Sequence, residues 1–224
     1  MDIFFEENEQ NIKFILKNVE KKFIPVLDEQ YYVRKNHDFY KTFSKPVKNI
    51  NKIKENYKKY NLEMVLQAGK FKKIMWDEAL LSFIKRIEEY DIDWWLTGSC
   101  ALKIRGIDIY PHNVDIMLNS EDIEKINELF VDNIIWPISD TNGWIVKYFG
   151  VIFLNGQIDL AFDPQDFADD PEPVDFGPYA KKHLEIIRWN NYDIKVPPLE
   201  LQLKSNKLRR RKKRVEKIQE FLEN

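Results

Sequence analysis

One stretch, residues 92–118, constrains the fold of this 224-residue chain more than any other. It begins with a short apolar run, Ile92 to Leu96, and passes through a Gly-Ser pair into a segment with the spacing of a short helix. A second run then alternates between apolar and other residues: Asn113, Val114, Asp115, Ile116, Met117 and Leu118. The pattern predicts strand, tight turn, helix, loop and strand, with Asn113 and Asp115 on one face of the second strand.

The Gly-Ser pair, Gly98 and Ser99, lies where the first strand would turn into the helix. Glycine permits a turn that a side chain would block, and a serine in this place is typical of a helix N-cap. The free N–H groups of a helix N-terminus attract phosphate. The sequence therefore predicts phosphate binding at Gly98 and Ser99.

A third polar side chain comes from a predicted hairpin further along the chain. Two strand-like runs, residues 150–154 and 157–162, flank Asn155-Gly156, which is a typical hairpin turn. Asp159 lies in the middle of the second run, between apolar neighbours. A carboxylate in an apolar strand needs a partner, and a divalent metal ion is one that suits it.

These features, in this order, resemble the nucleotidyltransferase superfamily of the DNA polymerase β type, and within it the minimal bacterial and archaeal members. The resemblance lies in Gly98-Ser99, the short helix, Asn113-Val114-Asp115 and Asp159, and it covers about residue 76 to the C-terminus. It implies an α/β (α+β) fold with a mixed β-sheet flanked by helices. It also implies transfer of a nucleoside monophosphate from an NTP to an acceptor, such as a small molecule, a tRNA or a protein.

In this family, three carboxylates hold two Mg²⁺ ions. The resemblance therefore implies Asn113, Asp115 and Asp159 as metal ligands and the two aspartates as catalytic residues, with Asp159 helping to activate the attacking hydroxyl. Asn113 departs from the family pattern, because an amide offers one neutral oxygen where the family has an acid. A register that uses Asp115 and Met117 instead is chemically worse, since it places a thioether on a hard cation. Asn113 also supports a second hypothesis, a catalytically impaired protein that binds nucleotide, RNA or a protein partner.

The C-terminal part combines a helical pattern, residues 199–222, with a strongly basic run. Arg209 to Arg214 are six consecutive cations, which attract phosphate at low salt. A solvated helix face and a contact with RNA or another polyanionic acceptor are both open interpretations, and a nucleic-acid-binding module is a third hypothesis for the whole chain. The family resemblance implies that Lys204 points toward the nucleotide.

Two further features have alternative interpretations. Arg105 follows the short helix and is either a phosphate contact or a helix-end charge. Residues 163–175 contain six acids and no lysine or arginine, which predicts a solvated loop near Asp159; the alternative is a further ligand or a lid. Cys100 is expected to be a small buried side chain.

The composition is that of an ordinary globular protein, with 44% hydrophobic and 32% charged residues. The net charge of −2 gives no global signature of nucleic-acid binding, and one cysteine excludes an internal disulfide. No run has the length of a membrane span and the N-terminus lacks a signal-peptide pattern, so a cytoplasmic protein is expected.

The chain is predicted to have two parts. Residues 1–70 are expected to form a helical N-terminal extension, on the helical spacing of the apolar residues in 12–23 and again in 50–57. Residues 71–224 are expected to form the nucleotidyltransferase-like domain, including the basic C-terminal helices.

Overall fold

The chain begins with an antiparallel sheet in the computed structural model, which describes residues 1–223. Its strands are β1 (Asp2–Glu7), β2 (Asn11–Lys17), β3 (Val33–Lys35) and β4 (Asp38–Ser44). Their order across the sheet is β1-β2-β4-β3, and a short helix, α1 (Ile24–Glu29), lies between β2 and β3 in the chain. We call this sheet the N-terminal sheet.

The prediction of a helical extension is wrong for the four strands within residues 2–44, although α1 between them is helical. The apolar spacing fits a helix, but it also fits the two-residue period of a strand, on which Phe14 and Leu16 are fully buried in β2. Asn8 favours the strand locally, because its Oδ1 accepts hydrogen bonds from the N–H groups two and three residues on and so forms a tight turn. Asn18 then ends β2 with a φ of 51°, a left-handed conformation that asparagine tolerates.

Two longer helices follow, as the apolar spacing predicts. Helix α2 (Ile50–Ala68) buries Ile53 and Tyr57. Helix α3 (Trp76–Ile87) has acids in its first turn, and one stripe of its side chains is buried: Ala79, Leu80, Phe83, Ile84 and Ile87. Both helices pack against the central sheet.

The central sheet has five strands: β5 (Trp94–Thr97), β6 (Val114–Leu118), β7 (Ile134–Asp140), β8 (Val146–Phe153) and β9 (Gln157–Pro164). Their order is β5-β6-β9-β8-β7. β6 and β9 are parallel, whereas the other neighbouring pairs are antiparallel. The predicted mixed sheet is confirmed, and so is the hairpin at Asn155, whose φ is 61°.

Shorter elements surround the central sheet. They are α4 (Gly98–Ile104), α5 (Ile123–Leu129), α6 (Pro178–Lys182), the hairpin of β10 (Glu185–Trp189) and β11 (Tyr192–Val196), α7 (Leu199–Leu208) and α8 (Lys212–Glu223). The helical pattern of residues 199–222 is therefore two helices. The chain breaks between them at the basic run, where Arg210 has a φ of 53°.

One continuous hydrophobic core joins the N-terminal sheet to the central sheet, from Phe14 in β2 to Leu160 in β9. The fold class is confirmed as mixed α/β, with helices around a mixed sheet; the division of the chain at residue 70 stays a prediction. Within residues 1–223, no helix combines the length and the apolar character that crossing a membrane requires.

Candidate active site

Two carboxylates lie side by side where the central sheet changes from antiparallel to parallel pairing. Asp115 in β6 is the register partner of Asp159 in the parallel neighbour β9, and on its other side it is the partner of Thr97 in β5. Register partners on adjacent strands are about 5 Å apart and point to the same face. The sheet therefore brings together the two acids that the sequence singled out.

The side-chain amide of Asn113, just before β6, connects these two acids. Its Nδ2 donates a hydrogen bond to Asp115 Oδ1 at 2.9 Å and another to Asp159 Oδ2 at 2.8 Å. Gln157 Nε2 donates to Asp159 Oδ1 at 2.7 Å. Neutral amide donors therefore lie between and beside the acids, and we call Asn113, Asp115, Gln157 and Asp159 the floor of the site.

Burial is the largest influence on the ionisation of both acids. Desolvation, and after it the charge of Asp115, raises the pKa of Asp159 to about 7, while the hydrogen bond from Gln157 opposes this. Desolvation also raises the pKa of Asp115, and the hydrogen bond from Asn113 lowers it. Raised pKa values mean that the protein's own cations do not fully compensate these carboxylates, so a bound cation would be stabilised here.

Gly98 brings the backbone directly against Asp115. Its φ is +66°, and a Cβ atom at this position would lie 2.2 Å from Asp115 Oδ2. Only glycine satisfies both the backbone conformation and the available space. Helix α4 already begins at Gly98 with Thr97 as its N-cap, so the prediction of Ser99 as the N-cap is wrong. Ser99 is buried in the first turn; binding of phosphate by Gly98 and Ser99 stays a prediction.

A cavity of about 1420 Å³ opens above the floor, and the basic run Arg209 to Arg214 lines it together with Gly98 and Ser99. We call this run the basic rim. It occupies the break between α7 and α8, and all of its residues except Arg214 are exposed. No side chain of the basic rim forms an ion pair with an acid in the described part of the chain.

Charges act across this cavity between the basic rim and the floor. Arg214 and Arg209 both lower the pKa of Asp115. Burial and neighbouring arginines lower the pKa of Arg211 and Arg214, while Asp115 raises it. The two sides therefore have opposite charge and interact without touching, which suits a ligand whose anionic groups face arginines and whose bound cation faces carboxylates.

Two predicted contacts with the nucleotide lie elsewhere. The ammonium of Lys204 pairs with Glu172 of the acidic segment at 2.7 Å, and Lys204 is not among the described residues that line the cavity. Arg105 donates to Glu185 at 2.5 Å and to the Pro197 carbonyl at 2.7 Å, and its side chain is largely buried. Arg105 therefore connects the end of α4 to the β10–β11 hairpin. This agrees with the interpretation of Arg105 as a helix-end charge rather than a phosphate contact.

One residue of the acidic segment, Asp175, belongs to the cavity wall rather than to a solvated loop. It is buried, its N–H donates to Ser205 Oγ at 2.8 Å and its carbonyl accepts from Thr97 Oγ1 at 2.8 Å. Burial raises its pKa, and Arg209 opposes this. Its Oδ1 has no hydrogen-bond partner within residues 1–223. The acidic composition of the segment did not distinguish Asp175 from the other acids, none of which is buried.

A second residue that the sequence did not indicate is Lys41, from the N-terminal sheet. Lys41 lines the same cavity as the floor, although it comes from a part of the chain outside the family resemblance. The signal in the sequence is a lysine between Phe39 and Phe43 in the alternating pattern of a strand. This signal is lost when the segment is not recognised as a strand.

The floor fits one divalent cation better than two. Mg²⁺ prefers hard oxygen ligands, which Asp115 and Asp159 supply, and rotation of the Asn113 amide would present its oxygen as a third. Two carboxylates balance the charge of one Mg²⁺, whereas the two-ion site that the resemblance implies needs another acid. Among residues 1–223, no three Asp, Glu, His or Cys side chains are grouped so that they could hold a metal ion.

No family model matches this chain, and no curated protein is found to be similar in sequence. Solved structures that are similar include a Thermotoga maritima protein described as a nucleotidyltransferase, at 19% identity and a TM-score of 0.48, with 64% of this chain and 90% of that chain covered. Another is the lincosamide antibiotic adenylyltransferase LnuA with lincomycin bound, at 14% identity and a TM-score of 0.41, covering 59% and 85%.

A third similar structure is an antigenic nucleotidyltransferase-like protein from Paracoccidioides brasiliensis, at 15% identity and a TM-score of 0.39, covering 59% of this chain and 66% of that chain. These descriptions belong to the similar proteins, and the likeness concerns the fold alone.

Proposed function

We propose that this protein transfers a nucleoside monophosphate from an NTP to a hydroxyl group of an acceptor, with one Mg²⁺ ion at the floor. The observation that carries the proposal is the opposition of charge within one cavity. Two adjacent carboxylates with raised pKa values lie on one side, and six cations without ion-pair partners in residues 1–223 lie on the other. A metal-bound triphosphate has the complementary arrangement of charge.

The chain's own residues would bind the triphosphate between Gly98 and the basic rim. The missing side chain of Gly98 lets the backbone lie directly against the Asp115 carboxylate, so that a phosphate on a cation at the floor would also meet this backbone. Arg211 and Arg214 offer guanidinium donors, which match phosphate oxygens in pairs. Their lowered pKa values come from burial and mutual repulsion, and an anion between them would relieve both effects.

The reaction is an in-line displacement at the α-phosphorus. The acceptor oxygen forms a bond to this phosphorus, while the bond to the oxygen that bridges the α- and β-phosphates breaks and pyrophosphate leaves with the electron pair. The hydroxyl proton passes to the ionised carboxylate of Asp159. The basic rim stabilises the charge on the departing pyrophosphate.

Asn113, Asp115 and Asp159 would hold the Mg²⁺ ion. When bound, it supplies electrostatic stabilisation of the charge that develops on the phosphate oxygens. A cation held there would offset the repulsion between the two carboxylates and so favour the ionised form of Asp159.

The second candidate function is binding of a nucleotide, an RNA or a protein partner without transfer. One observation favours it: the Asn113 amide hydrogen-bonds to both acids and so satisfies part of the floor without a cation. In this case the basic rim would still bind phosphate, but the floor would not select for a metal ion.

Labelled nucleotides distinguish the two candidates. The protein is incubated with Mg²⁺ and NTPs labelled at the α- or the γ-phosphate, in the presence of small-molecule, RNA or protein fractions as acceptors. Transfer predicts that the α-label appears on an acceptor and the γ-label is released as pyrophosphate. If the protein binds nucleotide but both labels stay in intact NTP with every fraction, the result would contradict transfer and favour the binding function.

A further inference from the structure

Lys41 lies on the core-facing side of β4, which is an unusual place for a lysine. Phe39 and Phe43, two residues away on either side, share its face of the strand and are 1% and 8% exposed. An ammonium on an apolar face is unfavourable unless it has a partner. The charge of Lys41 therefore needs a favourable partner at this position.

Aromatic rings surround the ammonium, and the cavity lies beyond it. Lys41 Nζ is 3.7 Å from the ring centroid of Trp136 and 5.2 Å from that of Tyr32. It forms no ion pair at salt-bridge distance with an acid of the described chain. Burial lowers the pKa of Lys41 to about 8, and the charge of Asp159 acts in the opposite direction. Lys41 is thus mainly charged at neutral pH, and Asp159 is the acid that stabilises this charge.

The two acids of the floor have unequal surroundings. Both oxygens of Asp159 accept hydrogen bonds, from Gln157 and Asn113, and Lys41 lines the same cavity. In residues 1–223, Asp115 accepts its hydrogen bond at Oδ1 alone, and its Oδ2 lies beside Gly98. The protein itself therefore stabilises Asp159, whereas it leaves Asp115 open on its Gly98 side.

We propose that Lys41 supplies the second positive charge of the site, on the Asp159 side, so that one divalent cation on the Asp115 side is sufficient for the reaction. This inference rests on the proposed nucleotidyl transfer. Lys41 is a positioning residue that acts through Asp159: its ammonium, packed over the Trp136 ring, is a fixed positive charge in the cavity that both residues line. The N-terminal sheet thereby becomes a part of the active site.

The inference is tested by titrating Mn²⁺ alone into the full-length protein and its variants, with calorimetry or the electron paramagnetic resonance of free Mn²⁺. Lys41→Met is expected to bind Mn²⁺ about tenfold more tightly than the wild type, or to bind a second ion, because a repelling charge near the floor is removed. Lys41→Arg keeps the charge and should bind like the wild type. Lys13→Met, in the neighbouring strand β2 of the same sheet, is the matched control and should also be unchanged.

The variants also test whether Lys41 is merely structural. Lys41→Met replaces an ammonium on an apolar face with a flexible thioether, so its Tm should equal or exceed that of the wild type. Lys41→Gln is the second neutral variant, should the methionine variant fail to fold. In transfer assays both neutral variants should lose activity and Lys41→Arg should retain most of it.

Two outcomes overturn the inference in different ways. Equal Mn²⁺ affinity and stoichiometry in the wild type and both neutral variants would show that Lys41 does not act at the cation site, while leaving the proposed function intact. Failure of the wild type and the neutral variants to bind Mn²⁺ at all would contradict both the inference and the proposed function.

Discussion

The floor and the basic rim carry opposite charge in the same cavity, but they are built in different ways. The floor acids lie on adjacent strands of the central sheet, and hydrogen bonds from Asn113 and Gln157 fix their positions. The basic rim lies at a break between two helices and is mostly exposed. The floor should therefore act through geometry and a bound metal ion, whereas the rim should act through charge that salt can screen.

The largest expected effect is the loss of transfer activity when an acid of the floor, rather than another acid nearby, is substituted. Asp159→Ala should reduce transfer at least about 100-fold, because it removes a metal ligand and the acceptor of the hydroxyl proton together. Asp166→Ala, in the exposed acidic segment, is the control and should retain activity. Turnover by Asp159→Ala at the wild-type rate would remove Asp159 from the site.

The next effect tests the basic rim. The double variant Arg211→Gln/Arg214→Gln should weaken NTP binding by about tenfold or more, because two charge-assisted contacts with phosphate are lost. The wild-type affinity should fall with added salt and that of the variant should fall less. Arg188→Gln, which loses an exposed ion pair with Asp193 away from the cavity, is the control. A salt dependence that is the same in wild type and double variant would exclude Arg211 and Arg214 as phosphate contacts.

A smaller effect tests the departure from the family pattern. Asn113→Asp should raise the affinity for Mg²⁺ or Mn²⁺ about tenfold, because it adds a charged ligand and removes an amide donor from the acids. Asn142→Asp, in an exposed loop, adds the same charge elsewhere and should have no effect. Weaker metal binding by Asn113→Asp, measured by calorimetry, would mean that position 113 does not face the cation.

Alanine substitutions at two glycines with positive φ distinguish the energetic cost of backbone strain from the cost of a close contact. The Cβ added by Gly143→Ala would meet no atom within 4 Å, so backbone strain alone should lower the free energy of unfolding by about 1 kcal/mol. Gly98→Ala adds a clash with Asp115 and should cost about 3 kcal/mol in all. Urea unfolding measures both. Equal losses of stability would show that the backbone at Gly98 can move away from the carboxylate.

A further expected effect is on the pH dependence of stability without metal ions. The unfolded chain releases the Asp159 proton near the ordinary value of 3.8, whereas the folded protein retains it until about 7. The folded state therefore binds more protons in this window, and this group makes the protein less stable as the pH rises through it. Urea unfolding in a chelator should show this decrease in the wild type but not in Asp159→Asn. A decrease of the same size in the variant would assign it to other groups.

The central part of the site could be predicted from the sequence because its signals are local. Gly98 follows a short apolar strand, and the alternation around Asp115 and Asp159 identifies each as an acid inside an apolar strand. The sheet register that pairs these two acids cannot be predicted from local signals. It depends on the topology of the sheet, which the family resemblance implied. The N-cap of α4 is Thr97, two residues before the predicted Ser99, because the left-handed Gly98 already belongs to the first turn.

The contribution of the N-terminal sheet could not be predicted, because its signals are ambiguous. The apolar residues of β2 fit the helical and the strand period alike, so the strand that carries Lys41 was not recognised. For Lys204 the sequence pattern is clear but the predicted contact is not seen. Lys204 lies on α7, where the resemblance implied a lysine that points toward the nucleotide, but its ammonium pairs with Glu172 and it is not among the described residues that line the cavity. Which cations reach the cavity depends on ion pairs between distant segments, and a sequence pattern does not show them.

The most direct test of the central claim is a calorimetric titration of each NTP into the protein, with and without Mg²⁺. A floor for one cation and a rim for phosphates predict that at least one NTP binds in a Mg²⁺-dependent manner. Absence of binding in both conditions would contradict the claim that this cavity holds a metal-bound triphosphate.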